Sequence, residues 1–488
     1  MDYSGFIGPA YDLRNTNYSC QTCVNWYPEV QELGTGRQSQ VAQLVPRPGL
    51  VPVVTGLGAA TRGGYLATTG DLFWVAGTSL YKINGNNSNT GWSATLLGTI
   101  VADNNPVQFT DNGDDLFMVS AGRIFTYNFT TNSVTEQTAA AYVDGATGLD
   151  FIDQRITFTR PNTDEFYWTE LGSTVANGLN FAAAEGNPDR LVGIINSGLD
   201  LWLFGKKTTE IWGSVGSGNI IFARRTNLIV EYGCLSPYTI KRIGNSVAWF
   251  GQSERGGAQM MISNGYNPQR ISTYPIEQEW QKFTPAHLEA ATGYVMQEGG
   301  HMFYVLNIPG ATETWVYDFT TSQQMGKPMW HTWTSRNSSN IIGRHRGQGH
   351  AFAFGRHITG DFAEGILYVM DEEVYTDNNR AITIERTAPH ITNSMKRIFF
   401  DEIQFDFLTG KTTSNTLDPQ IMLQFSDDGG VTWSDERLLS AGVIGQYGLK
   451  VDAQRLGSAR GRVFRIRMTD PIYWALSGVS IEIREGAH

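Results

Sequence analysis

From about residue 63 the chain reads as short runs of apolar and polar residues in alternation, separated by Gly, Asn and Asp. Gly70-Asp71-Leu72-Phe73-Trp74-Val75 and then Leu80-Tyr81-Lys82-Ile83 predict two strands joined by a tight turn at Gly77. About 44 residues later Asp114-Asp115-Leu116-Phe117-Met118-Val119, Gly122 and Ile124-Phe125-Thr126-Tyr127 repeat that pattern. Weaker echoes follow at Arg155–Thr159 with Glu165–Trp168, at Leu201–Gly205 with Glu210–Trp212, and at Ser246–Phe250, Met302–Leu306 and Ala351–Phe354. The spacing stays near 40–50 residues, the range of four-stranded propeller blades. The fold expected is all-β: a β-propeller over 51–390 of six or seven blades, seven by repeat count.

Two stretches break the pattern. Ile276–Phe283 and Thr284-Pro285-Ala286-His287-Leu288-Glu289-Ala290 read as a short helical insertion near 276–291, with a capping Thr and Pro at the first helical position. After Pro389 the texture changes, with strands expected at Ile398–Phe407, Gln420–Phe425, Arg462–Met468 and Val479–Ile483. Residues 391–488 are therefore expected to form a C-terminal β-sandwich, and residues 1–50 an extended N-terminal arm.

Composition agrees with this reading. The chain has 488 residues with 54 Gly and 13 Trp, and ten of those tryptophans lie between residues 74 and 333. Turns consume glycine, and twisted sheets packed radially need flat, bulky side chains between them; only short edges are left exposed. Charged residues are only 17% and aromatics 12%, which excludes a disordered chain. The net charge is −11, which argues against a protein that clamps nucleic acid over a wide basic face. Residues 395–488 hold eleven Lys/Arg and twelve Asp/Glu, so 25 basic against 35 acidic residues fall within 1–394. No signal peptide, no membrane insertion and no disulfide framework are expected, and synthesis is expected in a reducing cytoplasm.

Candidate chemistry is sparse. Cys20-x-x-Cys23 lacks the second pair of ligands that a structural zinc needs, and Cys234 is distant; the two cysteines read as small residues of the arm. The run Arg344-His345-Arg346, with His350 and Arg356-His357, is expected on a strand and loop facing solvent or a neighbouring subunit. Arg455, Arg460, Arg462, Arg465 and Arg467 form a second basic set, with Arg465 and Arg467 on one face of a strand. No helix-turn-helix or zinc-finger pattern accompanies either set. The most specific motif is Ser426-Asp427-Asp428-Gly429-Gly430-Val431-Thr432-Trp433, which matches the Asp-box pattern of sialidase-like propellers. Its expected work is architectural: the Asp428 carboxylate caps backbone N–H groups beside Ser426, Gly430 takes a positive φ, and Trp433 packs beneath. A sialidase would also need an arginine cluster and a paired acid and nucleophile. No hydrolase elbow, P-loop, zinc-protease or dinucleotide motif occurs. No catalytic residue, cofactor or metal is therefore expected.

The chain as a whole resembles the packaged-DNA stabilisation proteins of short-tailed bacteriophages, which form the tail nozzle, or hub. The resemblance begins at Val24-Asn25-Trp26-Tyr27-Pro28-Glu29 and Pro46-Arg47-Pro48-Gly49-Leu50. It is densest over Phe204–Trp212, Glu231–Pro237, Gly265-Tyr266 and Ile271–Thr273. It resumes at Gly300–Tyr304 and Thr314–Asp318, and ends with Ser426–Trp433, Arg455-Leu456-Gly457 and Arg462–Met468. It implies a non-enzymatic structural virion protein in a hexameric ring below the portal and its adaptor. Such a ring extends the DNA channel, retains the packaged genome and conducts it during ejection without sequence-specific contact. Its further implied partners are tail fibres or tailspikes and a tail plug or needle. Two other readings stay open on the residues alone: a sialidase-like or other carbohydrate-acting propeller enzyme, and a receptor-binding propeller at the tail tip.

Overall fold

The computed structural model describes residues 1–486 except 4, 17, 31–40, 143–144, 188, 218–219 and 411–417, so part of the expected arm lies outside the described residues. Among the described residues seven antiparallel sheets follow one another along the chain. Blade 1 holds Thr61–Leu66, Leu72–Ala76, Ser79–Asn84 and Ser93–Thr99; blade 2 runs from Gln108 to Glu136, blade 3 from Gly148 to Ala183 and blade 4 from Leu191 to Val230. Blade 5 spans Gly233–Arg270, blade 6 spans Thr292–Arg336, and blade 7 begins with Gly347–Ala353, Arg356–Asp361 and Leu367–Asp371. The first strand of each blade is innermost, except in blade 5, where Lys241–Ile243 takes that place, and the inner strand of blade 7 reaches that of blade 1.

The repeated motif explains the packing. In blade 1, Leu72 and Trp74 enter the cluster shared with blade 7, while Phe73 and Val75 enter the cluster shared with blade 2. In blade 2, Leu116 and Met118 face blade 1, and Phe117 and Val119 face blade 3. Both faces of a middle strand are buried, so the run is apolar throughout instead of alternating. Each such side chain contributes roughly 1.5–3 kcal/mol by leaving water.

The seventh blade takes its outer strand from the other end of the propeller. Gly49–Val54 pairs antiparallel with Leu367–Asp371 and closes the circle. The arm ahead of it is not free. Cys23–Val24 pairs in parallel with the outer strand of blade 6 and antiparallel with Ile384–Thr387. Through that pairing one sheet continues from blade 6 into Gly461–Met468, Gln420–Ser426 and Arg437–Ser440. A second sheet holds Trp26–Val30, Val41–Pro46, Leu476–Glu485, Ile398–Phe407 and Val451–Gln454. Phe400, Ile403, Phe405, Phe464 and Ile466 fill the sandwich between them, joined by Tyr3, Phe6 and Trp26 of the arm.

One local boundary shifts. Ile384–Thr387 lies within the stretch read as propeller, but it pairs with Gly461–Met468 of the sandwich; a short apolar strand does not announce which sheet it joins. The helical insertion resolves into α1, Tyr274–Trp280, and α2, Pro285–Glu289, with Thr284 Oγ1 accepting from His287 N at 3.3 Å. A further helix, α3, spans Phe319–Met325. It is too short and polar to show a period, and it is set by its ends: the Asp318 carboxylate accepts from Thr321 N, and Gly326 stops it at φ 63°.

Candidate functional site

The turn at Ser426–Trp433 is built around two oxygen acceptors. Ser426 Oγ donates to Asp428 Oδ1 at 2.7 Å and accepts from Gly430 N at 2.8 Å. Asp428 Oδ1 accepts from Val431 N at 3.1 Å and Thr432 N at 2.8 Å, and Oδ2 accepts from Thr432 Oγ1 at 2.5 Å. These bonds, led by the Thr432 hydroxyl and amide, hold the Asp428 carboxyl down at about 2. Gly430 has φ 89°, and a Cβ there would sit 3.1 Å from Cys20 Sγ, so the turn also abuts the arm. Trp433 is half-buried, with the Arg465 guanidinium 3.9 Å from its ring centroid.

The second basic set is largely spent within the sandwich. Arg462 is buried, pairs with Asp427 at 2.6 Å and lies over Phe425. Arg465 also donates to Gln424 Oε1 at 2.6 Å, and Arg467 pairs with Glu385 at 3.1 Å. Arg455 and Arg460 are exposed.

The first basic run is a correction. Arg344, His345 and Arg346 do not face solvent; all three are buried. Arg346 pairs with Asp361 at 2.6 Å and Glu364 at 2.9 Å, Arg344 lies 3.6 Å over the Phe362 ring, and His345 packs edge-on to Trp333. The acids and rings that make burial tolerable come from the next strand and loop. His350 and His357 are linked at 2.8 Å, and His357 pairs with Glu298 at 2.8 Å.

The cysteines do not converge. Cys23 Sγ donates to the Trp26 carbonyl, Cys20 Sγ lies 3.7 Å from His390 Nε2, and Cys234 sits in blade 5. Burial pushes the first two thiols up to about 11 and the third to about 12. Among the described residues no group of three or more His, Cys, Asp or Glu could hold a metal ion. Nor is any helix among them long and apolar enough to cross a membrane.

The junction of arm, propeller and sandwich holds polar residues to which sequence reasoning assigned no role. Asn25 is fully buried at φ 57°; its Oδ1 accepts from Arg47 Nε and Thr334 N, each at 2.8 Å, and its Nδ2 donates to the Thr383 carbonyl. Arg47 is buried against Asp377 at 2.6 Å and donates to the Thr334 carbonyl at 2.8 Å. Arg386 donates to the carbonyls of Gly5, Phe6, Pro9 and Thr22, four strap points on the arm. Asn25 and Arg47 lie inside the first two segments of the family resemblance, which was the available signal. These segments are the joint itself.

On the axis of the propeller the inner strands wall a cavity of about 330 Å³. Arg62 of blade 1 pairs there with Asp103 at 2.6 Å, and Asp150 of blade 3 pairs with Arg242 of blade 5 at 2.5 Å.

Comparison with known proteins decides what this architecture belongs to. The family model described as bacteriophage P22 Gp10, beta-propeller, matches residues 6–375, and that described as bacteriophage P22 Gp10, beta-sandwich, matches residues 383–484. The chain belongs to the bacteriophage P22 Gp10 family. As a Gp10-family protein, a packaged-DNA stabilisation protein, it is a structural component of a phage virion. The family's two parts are the β-propeller and β-sandwich described above. No curated protein matches the chain. Among solved structures it is similar to the extracellular domain of a hybrid two-component system from B. thetaiotaomicron, at 11% identity and TM-score 0.43. That match covers 80% of this chain and 44% of the other, so the chain spans less than half of its length. It is also similar to U3-55K, at 10% identity and TM-score 0.38, over 67% of this chain and 98% of that one.

Proposed function

We propose that this Gp10-family protein forms the tail nozzle: a six-membered ring below the portal and adaptor that extends the DNA channel, retains the packaged genome and conducts it during ejection. The observation that carries this reading is the ordered match of both family models along one chain. Two physical features support it. The cavity on the propeller axis, at about 330 Å³, has room for roughly ten waters. A duplex, whose major groove alone is about 12 Å wide, therefore has to pass between copies, through the lumen of a ring. The excess of acid in residues 1–394, 35 against 25 basic, suits a conduit, because phosphate contacts that release counterions would make DNA stick.

In this reading the protein is not an enzyme. The turn at Ser426, Asp428, Gly430 and Trp433 is architectural, and the outer surfaces serve tail fibres or tailspikes and a tail plug or needle. The functional parts follow the sheets: an arm to about residue 48, a propeller from Gly49 to Asp371, and a sandwich from Ile384 onward.

Adding the purified protein to portal–adaptor complexes tests the proposal. A six-fold ring on the adaptor end is the expected product. Folded components that never associate would overturn the reading; a monomer in free solution would not, because the adaptor can act as the template.

A further inference from the structure

On the propeller, the exposed cations Lys206, Lys207, Arg225 and Arg242 each stand against a carboxylate. Four cations at one end of the sandwich do not. Lys396, Arg397, Arg455 and Arg460 are exposed and form no ion pair among the described residues. They sit on two abutting loops, residues 393–397 and 455–460. Arg397 Nη1 donates to Ser458 Oγ at 3.0 Å, and Phe399 pairs with Ser458 along the backbone. Asp401 beside them is taken by Arg484 at 2.5 Å, and the exposed acids of the adjoining strand are Glu482 and Glu485. Four cations against two acids leave this tip positive, in a chain whose net charge is −11.

The tip is held in one shape. Ser394, Met395 and Arg455 take φ 45°, 65° and 57°, a left-handed backbone uncommon outside glycine. Lys396 N donates to the Asn393 carbonyl at 2.7 Å, Arg455 N to the Asp401 carbonyl at 2.9 Å and Phe400 N to the Gly457 carbonyl at 2.9 Å, which fixes both loops on one frame. Backbone strain kept in place by its surroundings gathers at sites of binding and switching. Beside Lys396, Met395 is 76% exposed. The strand Leu476–Glu485 starts at the joint, where Leu476 pairs with Leu44 of the arm, and ends at the tip, where Glu485 pairs with Ile398. Its ten residues carry the tip about 30 Å from that joint. One chain thus presents unmatched cations at the free end of its sandwich and an acid excess, 35 against 25, over residues 1–394.

We propose that this tip is a docking surface for a second copy of the chain, with Lys396, Arg397, Arg455 and Arg460 set against carboxylates of that copy's acid-rich arm and propeller, and Met395 covered at the contact. The inference rests on the ring reading above for the presence of neighbouring copies. Patches of opposite charge on one chain suit a head-to-tail contact, which repeats from copy to copy and closes into a ring. Complementary charge steers the encounter and fixes its register. A duplex fits the tip less well, because four cations would have to hold phosphate against the repulsion of a chain carrying −11.

Crosslinking between isotopically heavy and light copies of the full chain, added together to portal–adaptor complexes, tests the assignment. Met395→Cys carrying a benzophenone puts the probe on the tip, since Cys20, Cys23 and Cys234 are buried. Heavy-to-light crosslinks from the tip into the arm or propeller are expected. Crosslinks into the adaptor or the second copy's sandwich, or none at all in a ring that forms, would overturn the proposal and leave the ring reading intact. Lys396→Glu, Arg455→Glu and Arg460→Glu together remove no ion pair within the chain. That variant should need about tenfold more protein to form the ring. Assembly at the wild-type concentration, with the wild-type dependence on salt, would refute the docking role. Should the wild type form no ring while heavy-to-light crosslinks still appear in free solution, the ring reading alone would fail; absence of both would sink the two together. Duplex DNA binding that the reversed variant loses would assign the tip to phosphate and overturn the proposal.

Discussion

Asp428 shows how a single carboxylate can organise a turn from an exposed position. Its ordinary value of 3.8 falls to about 2 in the folded chain because hydrogen bonds from the Thr432 hydroxyl and amide, then from Ser426 and Val431, favour the charged form. A depressed carboxyl contributes stability above its unfolded value and loses it as pH falls through the folded one. Acid unfolding should therefore show wild type and Asp428→Ala diverging above pH 4 and converging by about pH 2. Parallel curves across that window would show that the turn contributes nothing through its charge. Lys241 runs the other way. Burial, with a smaller push from Arg242, pulls its ammonium from 10.5 to about 8. The folded chain thus releases this proton before the unfolded chain does, so the group's penalty is present in full below about pH 8. It is relieved as pH climbs toward 10.5, and stability rises with pH through that interval. Lys241→Met should lack the rise in denaturation midpoints measured over the same range.

Among the elements, the short segments at the junction do the most per residue. Asn25, Arg47 and Asp377 join the arm, the outer strand of blade 6 and the segment after blade 7 in one buried network. Removing the cation leaves Asp377 uncompensated in the interior, so Arg47→Ala should cost about 3–5 kcal/mol in equilibrium denaturation. A loss below about 1 kcal/mol would mean that the network is not what holds the joint. This scale also shows what local sequence can and cannot reveal. The Asp-Leu-Phe-x-Val hairpins of blades 1 and 2 were legible because both faces of each strand are buried and their turns carry Gly and Asn. In the Ser426–Trp433 turn the bonds of Ser426 and Asp428 close within eight residues, which is the range local sequence can specify. The basic run at Arg344–Arg346 was misplaced because its burial depends on Asp361, Glu364 and Phe362, whose approach only the folded blade provides. The entry of Ile384–Thr387 into the sandwich depends on its pairing with Gly461–Met468, and the straps from Arg386 to Gly5–Pro9 and Thr22 depend on contacts across more than 350 residues.

For the whole molecule, one continuous sheet from blade 6 through Cys23–Val24 into the sandwich makes propeller and sandwich mechanically one piece. The closing strand Gly49–Val54 locks the circle from the arm side. Such a body can serve as one stave of a ring, and its acid excess is concentrated in the arm and propeller. Duplex DNA should accordingly bind the purified chain weakly and with a shallow dependence on salt, which a titration at several ionic strengths would read as few phosphate contacts. The central claim concerns position in the particle. An averaged image of the intact virion, with this chain traced in it, is the most direct test. The account predicts six copies in a ring immediately below the adaptor, around the DNA column, with the propeller axis off the path of the DNA. Copies found instead as separate spikes at the tail tip, or a DNA column ending above them with no shared lumen, would contradict it.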